Sequence, residues 1–89
     1  MLKRTLVFTN PVSLSLRNCQ LVIHRKELPE EPPTTVPIED IGTVVVESQR
    51  ATLTIPLVNA LAESGVQVVF CNERNMPASL LLPFEGNST

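Results

Sequence analysis

The sequence predicts an α+β fold, mostly β: an N-terminal β-meander joined to a β-α-β unit, forming a small sheet or sandwich with one helix. Three observations predict it. Ser13-Leu14-Ser15-Leu16 and Leu21-Val22-Ile23-His24 alternate, and an extended chain puts alternate residues on one face. Thr43-Val44-Val45-Val46 is a nearly continuous β-branched run, the pattern of a central strand covered on both faces. A segment with helical signals then leads to a second apolar run, Val66 to Cys71. Strand, short helix and strand imply a right-handed crossover and a parallel pair.

The elements follow in order. Lys3 to Phe8 is a first strand, ended by Asn10-Pro11. Arg17-Asn18 is a tight turn, because Asn tolerates positive φ. Cys19 to Arg25 is a third strand, so residues 3–25 read as a three-stranded meander. Residues 27–37 hold four prolines, which remove backbone donors and fix φ, and are assigned as a connecting loop. Ile38 and Ile41 anchor the end of that loop in the core, and Gly42 permits close backbone approach at the next strand's start. Thr52 or Thr54 caps the helix, with Pro56 in its first turn, where a missing N–H costs little. Ile55, Val58, Leu61 and Ala62 fall on one helical face. Gly65 suits the position just past the helix end. Residues 72–77 form a loop, and Leu80 to Phe84 a last short strand with Pro83 at its edge or end. The polar cap-forming residues Asn87-Ser88-Thr89 have no helix after them to cap.

The 89 residues suit one small domain, residues 1–89, with a core of Val, Leu and Ile; hydrophobic residues make up 43% of the chain and aromatic ones 3%. No apolar run approaches the ~20 residues needed to span a bilayer. The start lacks the apolar core of a signal peptide, so a cytoplasmic location is expected. Cys19 and Cys71 lack metal or redox spacing and read as reduced, buried thiols. The formal charge of −2 is unevenly distributed. Lys3, Arg4, Arg17, Arg25 and Lys26 precede the first acid, and all nine acids follow with only Arg50 and Arg74. Such a split marks a candidate anion-facing surface. Solvated strand ends, or neutralisation by the acidic loop just after them, explain it more plainly.

The catalytic inventory is thin. A Ser–His–Asp triad would need the single histidine, His24, and the single aspartate, Asp40, and no nucleophile elbow accompanies them. Cys19, His24, Asp40, Cys71 and Glu73 show no zinc-site spacing. Glu27, Glu30 and Glu31 cluster only as a solvated charge run in the proline loop. No glycine-rich loop leads into the helix to cradle phosphate. Glu39-Asp40 resembles a catalytic pair but is better explained as the end of an anchored loop. No residue is assigned to catalysis or to a metal. Arg17, Arg25, Lys26, Arg50 and Arg74 are the candidate nucleic-acid contacts, because basic side chains supply phosphate contacts.

Five segments occur together in order: Leu2-Lys3-Arg4-Thr5-Leu6-Val7-Phe8; Leu14-Ser15-Leu16-Arg17-Asn18-Cys19-Gln20-Leu21-Val22-Ile23; Pro37-Ile38-Glu39-Asp40-Ile41-Gly42; the strand–helix–strand unit; and Leu80-Leu81-Leu82-Pro83-Phe84-Glu85-Gly86-Asn87. In these the chain resembles the N-terminal domain of the CRISPR-associated adaptation integrases, metal-dependent endonucleases that insert new spacers, in forms closest to type II systems. The resemblance implies a β-rich domain followed by a larger helical catalytic domain. There a Glu, a His and an acidic residue hold Mg or Mn and support attack of a DNA 3′-OH on a phosphodiester. None of those positions matches a residue here, so no catalytic residue is carried over. On this reading the chain is a non-catalytic piece of a longer prokaryotic protein, engineered or proteolytic, with no cofactor of its own. The implied partners are a second copy (a homodimer), the second CRISPR adaptation protein and double-stranded DNA, with no membrane. Two other readings stand beside it: a small standalone protein-interaction module without a DNA role, and a compact hydrolase using His24 and Asp40.

Overall fold

The computed structural model describes residues 3–74 and 76–81. Along them run β1 (Arg4–Phe8), β2 (Val12–Arg17), β3 (Gln20–Arg25) and β4 (Thr34–Pro37). A single 3-10 turn (Ile38–Asp40) leads into β5 (Ile41–Val46). Then come β6 (Thr52–Leu53), α1 (Ile55–Glu63), β7 (Gln67–Cys71) and β8 (Pro77–Leu81). The strands form two four-stranded sheets, one ordered β1-β5-β7-β8 and the other β4-β3-β2-β6. The fold is α+β and mostly β. In the first sheet β1, β5 and β7 are parallel, and β8 is antiparallel to β7. In the second, β2 and β3 form a hairpin, β4 adds antiparallel and β6 adds two residues parallel to β2.

Several expectations need correction. The first strand does not belong to the meander. β1 pairs with β5, more than thirty residues away, with Leu6, Val7 and Phe8 opposite Val44, Val45 and Val46. The Thr9-Asn10-Pro11 link then carries the chain into the other sheet. The meander is instead β2-β3-β4, because the proline loop ends in a strand. Thr34, Thr35 and Val36 pair with Ile23, Val22 and Leu21. Proline is tolerated there since β4 is an edge strand and Pro37 is its last residue. The hairpin turn is centred on Asn18-Cys19, with φ of 53° and 60°, while Arg17 and Gln20 close it as a pair. Two positive φ values fit a primed turn, whose twist matches that of its strands. Cys19 is consequently exposed and only Cys71 is buried.

Thr54, not Thr52, caps α1: its hydroxyl accepts the Leu57 N–H at 3.4 Å. The buried stripe is Leu57 and Leu61, one turn apart, and Ile55 stays 69% exposed in the first turn. Gly65 has φ 76°. Its N–H reaches the Ala62 carbonyl while the Val66 N–H reaches that of Leu61, a Schellman closure. Gly42 is the extra residue of a bulge, since Arg4 faces Ile41 and Thr5 faces Thr43. A Cβ there would stand 3.1 Å from the Lys3 Cβ. The last strand starts at Pro77, three residues earlier than expected. Leu82 to Phe84 and the Asn87 to Thr89 ending lie outside the described residues.

Phe8, Val44, Val46 and Val68 from the first sheet meet Val12, Leu14, Leu21 and Val36 from the second, with Leu57 and Leu61 of α1, in one core. Among the described residues no polar or charged side chain is buried. No helix among them is long and apolar enough to cross a membrane.

The two outer faces differ. On the second sheet, Ser13 lies opposite His24, and Val22 is flanked by Ser15 and Thr35, a largely polar surface. On the first, Val7, Val45, Val69 and Leu80 stand opposite one another across all four strands. Val7 and Leu80 are about half exposed, at 52% and 53%. α1 contributes to the core between the sheets, and among the described residues no helix or strand packs over the second apolar face of β5, where Val45 and Val69 are partly buried.

Candidate nucleic-acid interface

The parallel strands β1, β5 and β7 all end at the same side of the molecule. The start of β2 and the end of β3 lie there too. Local chemistry shapes the loops. The Arg50 N–H donates to Ser48 Oγ at 3.1 Å, and Asn72 Oδ1 accepts the Arg74 and Met76 N–H groups at 2.9 and 3.1 Å. These are the side-chain turns that Ser and Asn favour. Longer links lace the loops together. The Phe8 carbonyl accepts the Glu47 and Ser48 N–H groups at 2.9 and 3.2 Å. The Gln49 side-chain amide donates to the Cys71 carbonyl at 2.7 Å. The Lys26 ammonium donates to the Arg50 carbonyl at 2.8 Å.

Four of the five candidate bases, Arg25, Lys26, Arg50 and Arg74, are gathered at this end, all exposed. Arg25 lines a groove with Thr9, Asn10 and Thr34. The fifth, Arg17, is at the hairpin tip. Val12 faces Arg25 at the other end of β2, five residues and about 17 Å of strand away. Arg17 therefore does not share the loop end with the other four; it lies toward the end where β1 starts with the exposed Lys3 and Arg4. Glu27, Glu47 and Glu73 are at the loop end, so its charge is interleaved rather than uniformly positive.

Sequence reasoning named the bases but missed Ser48, Gln49 and Asn72, which shape the loops. The Gln49 bond spans 22 positions, and no local pattern announces it. Asn72 lies before a turn, where its type was a signal that could have been used.

The other candidates separate. His24 faces Ser13 on β3, whereas Asp40 lies in the 3-10 turn beyond Pro37, which faces Gln20 at the far end of that strand. About 13 Å of strand divides Gln20 from His24. Among the described residues no three of His, Cys, Asp and Glu come close enough to hold a metal. The described donors thus do not fit the Mg or Mn of the resembled family.

A small two-sheet scaffold with basic loops at one end is the class this geometry defines. The family model for CRISPR associated protein Cas1 matches residues 5–89. The chain is 36% identical over 81 residues to the CRISPR-associated endonuclease Cas1 of Neisseria meningitidis serogroup C (strain 8013). That alignment covers 91% of this chain and 25% of the relative. The chain belongs to the Cas1 family. Among solved structures, TtCas1 in complex with DNA matches with a TM-score of 0.74 at 17% identity, covering 91% of this chain and 29% of that one. A partial Cas6-RT-Cas1–Cas2 complex matches with a TM-score of 0.79 at 16% identity, covering 93% of this chain and 24% of that one. These likenesses show the fold. The chain spans about a quarter of the length of the proteins it matches.

Proposed function

We propose that this chain is the scaffold portion of a Cas1 integrase: it holds duplex DNA at its loop end, self-associates through the outer apolar face of its first sheet, and takes no part in bond breaking. The carrying observation is the gathering of Arg25, Lys26, Arg50 and Arg74 on loops that hydrogen bonds tie together. The TtCas1 structure with DNA and the Cas1–Cas2 assembly support DNA and the second adaptation protein as partners of the whole protein. Its activity is then metal-dependent insertion of spacers into the CRISPR array, an antiviral defence carried out in the prokaryotic cytoplasm. The helical domain, with Mg or Mn, supplies that chemistry.

The test is fluorescence anisotropy of a labelled blunt duplex. Reversing Arg25 and Arg50 to Glu abolishes binding by the chain, whereas Arg17→Glu leaves most of it. Equal losses from both, or none from either, remove the loop end from the DNA path.

One observation favours a second reading, a protein-interaction module without a DNA role: the row Val7, Val45, Val69 and Leu80 is an apolar face whose suitability for a protein partner does not depend on DNA. Self-association with no measurable affinity for duplex DNA selects that reading.

A further inference from the structure

We infer that Lys26 is a positioning residue of the loop end and not one of its phosphate contacts, a role that rests on the DNA reading above. The Lys26 N–H donates to the Pro11 carbonyl at 3.1 Å, fixing where the side chain begins. Its ammonium then reaches the Arg50 carbonyl at 2.8 Å, across 24 positions of sequence. The same turn, Glu47 to Arg50, is gripped from two other strands: the Phe8 carbonyl of β1 holds its start, and Gln49 binds the Cys71 carbonyl of β7. Within the turn the only restraint of this kind is the Arg50 N–H on Ser48 Oγ.

The two neighbouring bases thus divide the work. Arg25 is the last residue of β3, whereas Lys26 begins a turn closed by the Leu28 N–H on the Arg25 carbonyl at 3.2 Å. Arg25 lines the groove with Thr9, Asn10 and Thr34, while Lys26 runs to the Glu47 to Arg50 turn. A charged donor on a carbonyl makes a stronger hydrogen bond than a neutral one, so Lys26 is suited to holding the Arg50 backbone. Arg50 then presents a planar fork that binds phosphate through paired donors, which a lysine cannot do.

The experiment is a double-mutant cycle on this chain, measuring labelled-duplex affinity over a range of salt. Arg50→Ala removes one phosphate contact and lowers the salt slope by about 0.9. Lys26→Met keeps the aliphatic stem and deletes the donor. The proposal expects Lys26→Met to lose part of what Arg50→Ala loses. It also expects the double variant to bind like Arg50→Ala alone, with the same slope. Amide NMR shifts caused by Lys26→Met should be confined to Ser48 to Ala51 and the Lys26 neighbourhood. Losses that multiply, with the slope falling a second time by about 0.9, make Lys26 a direct contact and overturn the proposal while leaving the DNA reading intact. A Lys26→Met variant that binds as the wild type also overturns it. If Arg50→Ala changes neither affinity nor slope, the DNA reading of this turn falls, and the role of Lys26 falls with it.

Discussion

Leu80→Ala tests the outer apolar face of the first sheet. Leu80 closes the row Val7, Val45, Val69 and Leu80 at the β8 edge and is 53% exposed in the single chain. Fully burying a leucine side chain is worth roughly 1.5–3 kcal/mol, so covering the exposed half contributes about 1 kcal/mol. A two-fold interface uses each patch twice, which makes the loss about 2 kcal/mol, or roughly 30-fold in the dimer dissociation constant. The face is apolar because β5 and its parallel neighbours carry apolar residues on both sides, and among the described residues α1 adds to the core on only one. Sedimentation velocity over a concentration series measures the effect. Thermal unfolding at low concentration serves as the fold control, and it should shift little because Leu80 lies outside the core. A wild-type chain that stays monomeric at millimolar concentration refutes the reasoning. So does a Leu80→Ala chain that dimerises as tightly as the wild type.

Two stability predictions follow from the backbone. Cys19 holds φ 60° in the second central position of the hairpin turn, where a left-handed residue with a Cβ costs roughly 1–2 kcal/mol. Cys19→Gly should therefore raise the melting temperature by about 4–8 °C for each kcal/mol relieved, and a lowered melting temperature contradicts the turn assignment. Thr54→Ala should cost about 0.5–2 kcal/mol through the lost cap, while Thr52→Ala costs less because Thr52 makes only a 3.3 Å contact with Ser13 Oγ. Urea unfolding of both variants checks the order, and the reverse order would place the cap on Thr52.

What was legible in the sequence was local. The Thr43 to Val46 run became the central strand because β-branched residues suit a pleated, buried surface. Pro56 and Gly65 fixed the helix limits because each has one favourable position at a helix end. What failed was long-range. Nothing near Arg4 to Phe8 says that their partner is Val44 to Val46 rather than the adjacent β2. Prolines obscured β4, since their prohibition applies to paired N–H groups and an edge strand leaves some of those free. The helix face was misjudged by including Ile55, whose position in the first turn leaves Leu57 and Leu61 to reach the core. At the candidate interface the residue types were visible, but their distribution was not. Arg17 and Arg25 are eight positions apart in sequence and on opposite ends of one hairpin, while Lys26 and Arg50 touch across 24 positions.

The most direct measurement is an NMR titration of the isotope-labelled chain with a blunt DNA duplex. The account predicts amide shifts at Arg25 and Lys26, at Glu47 to Ala51 and at Asn72 to Arg74. It predicts none at the Arg17 to Gln20 tip, about 17 Å of strand away. Shifts centred on the hairpin tip, or no shifts at a DNA concentration well above that of the protein, would contradict it.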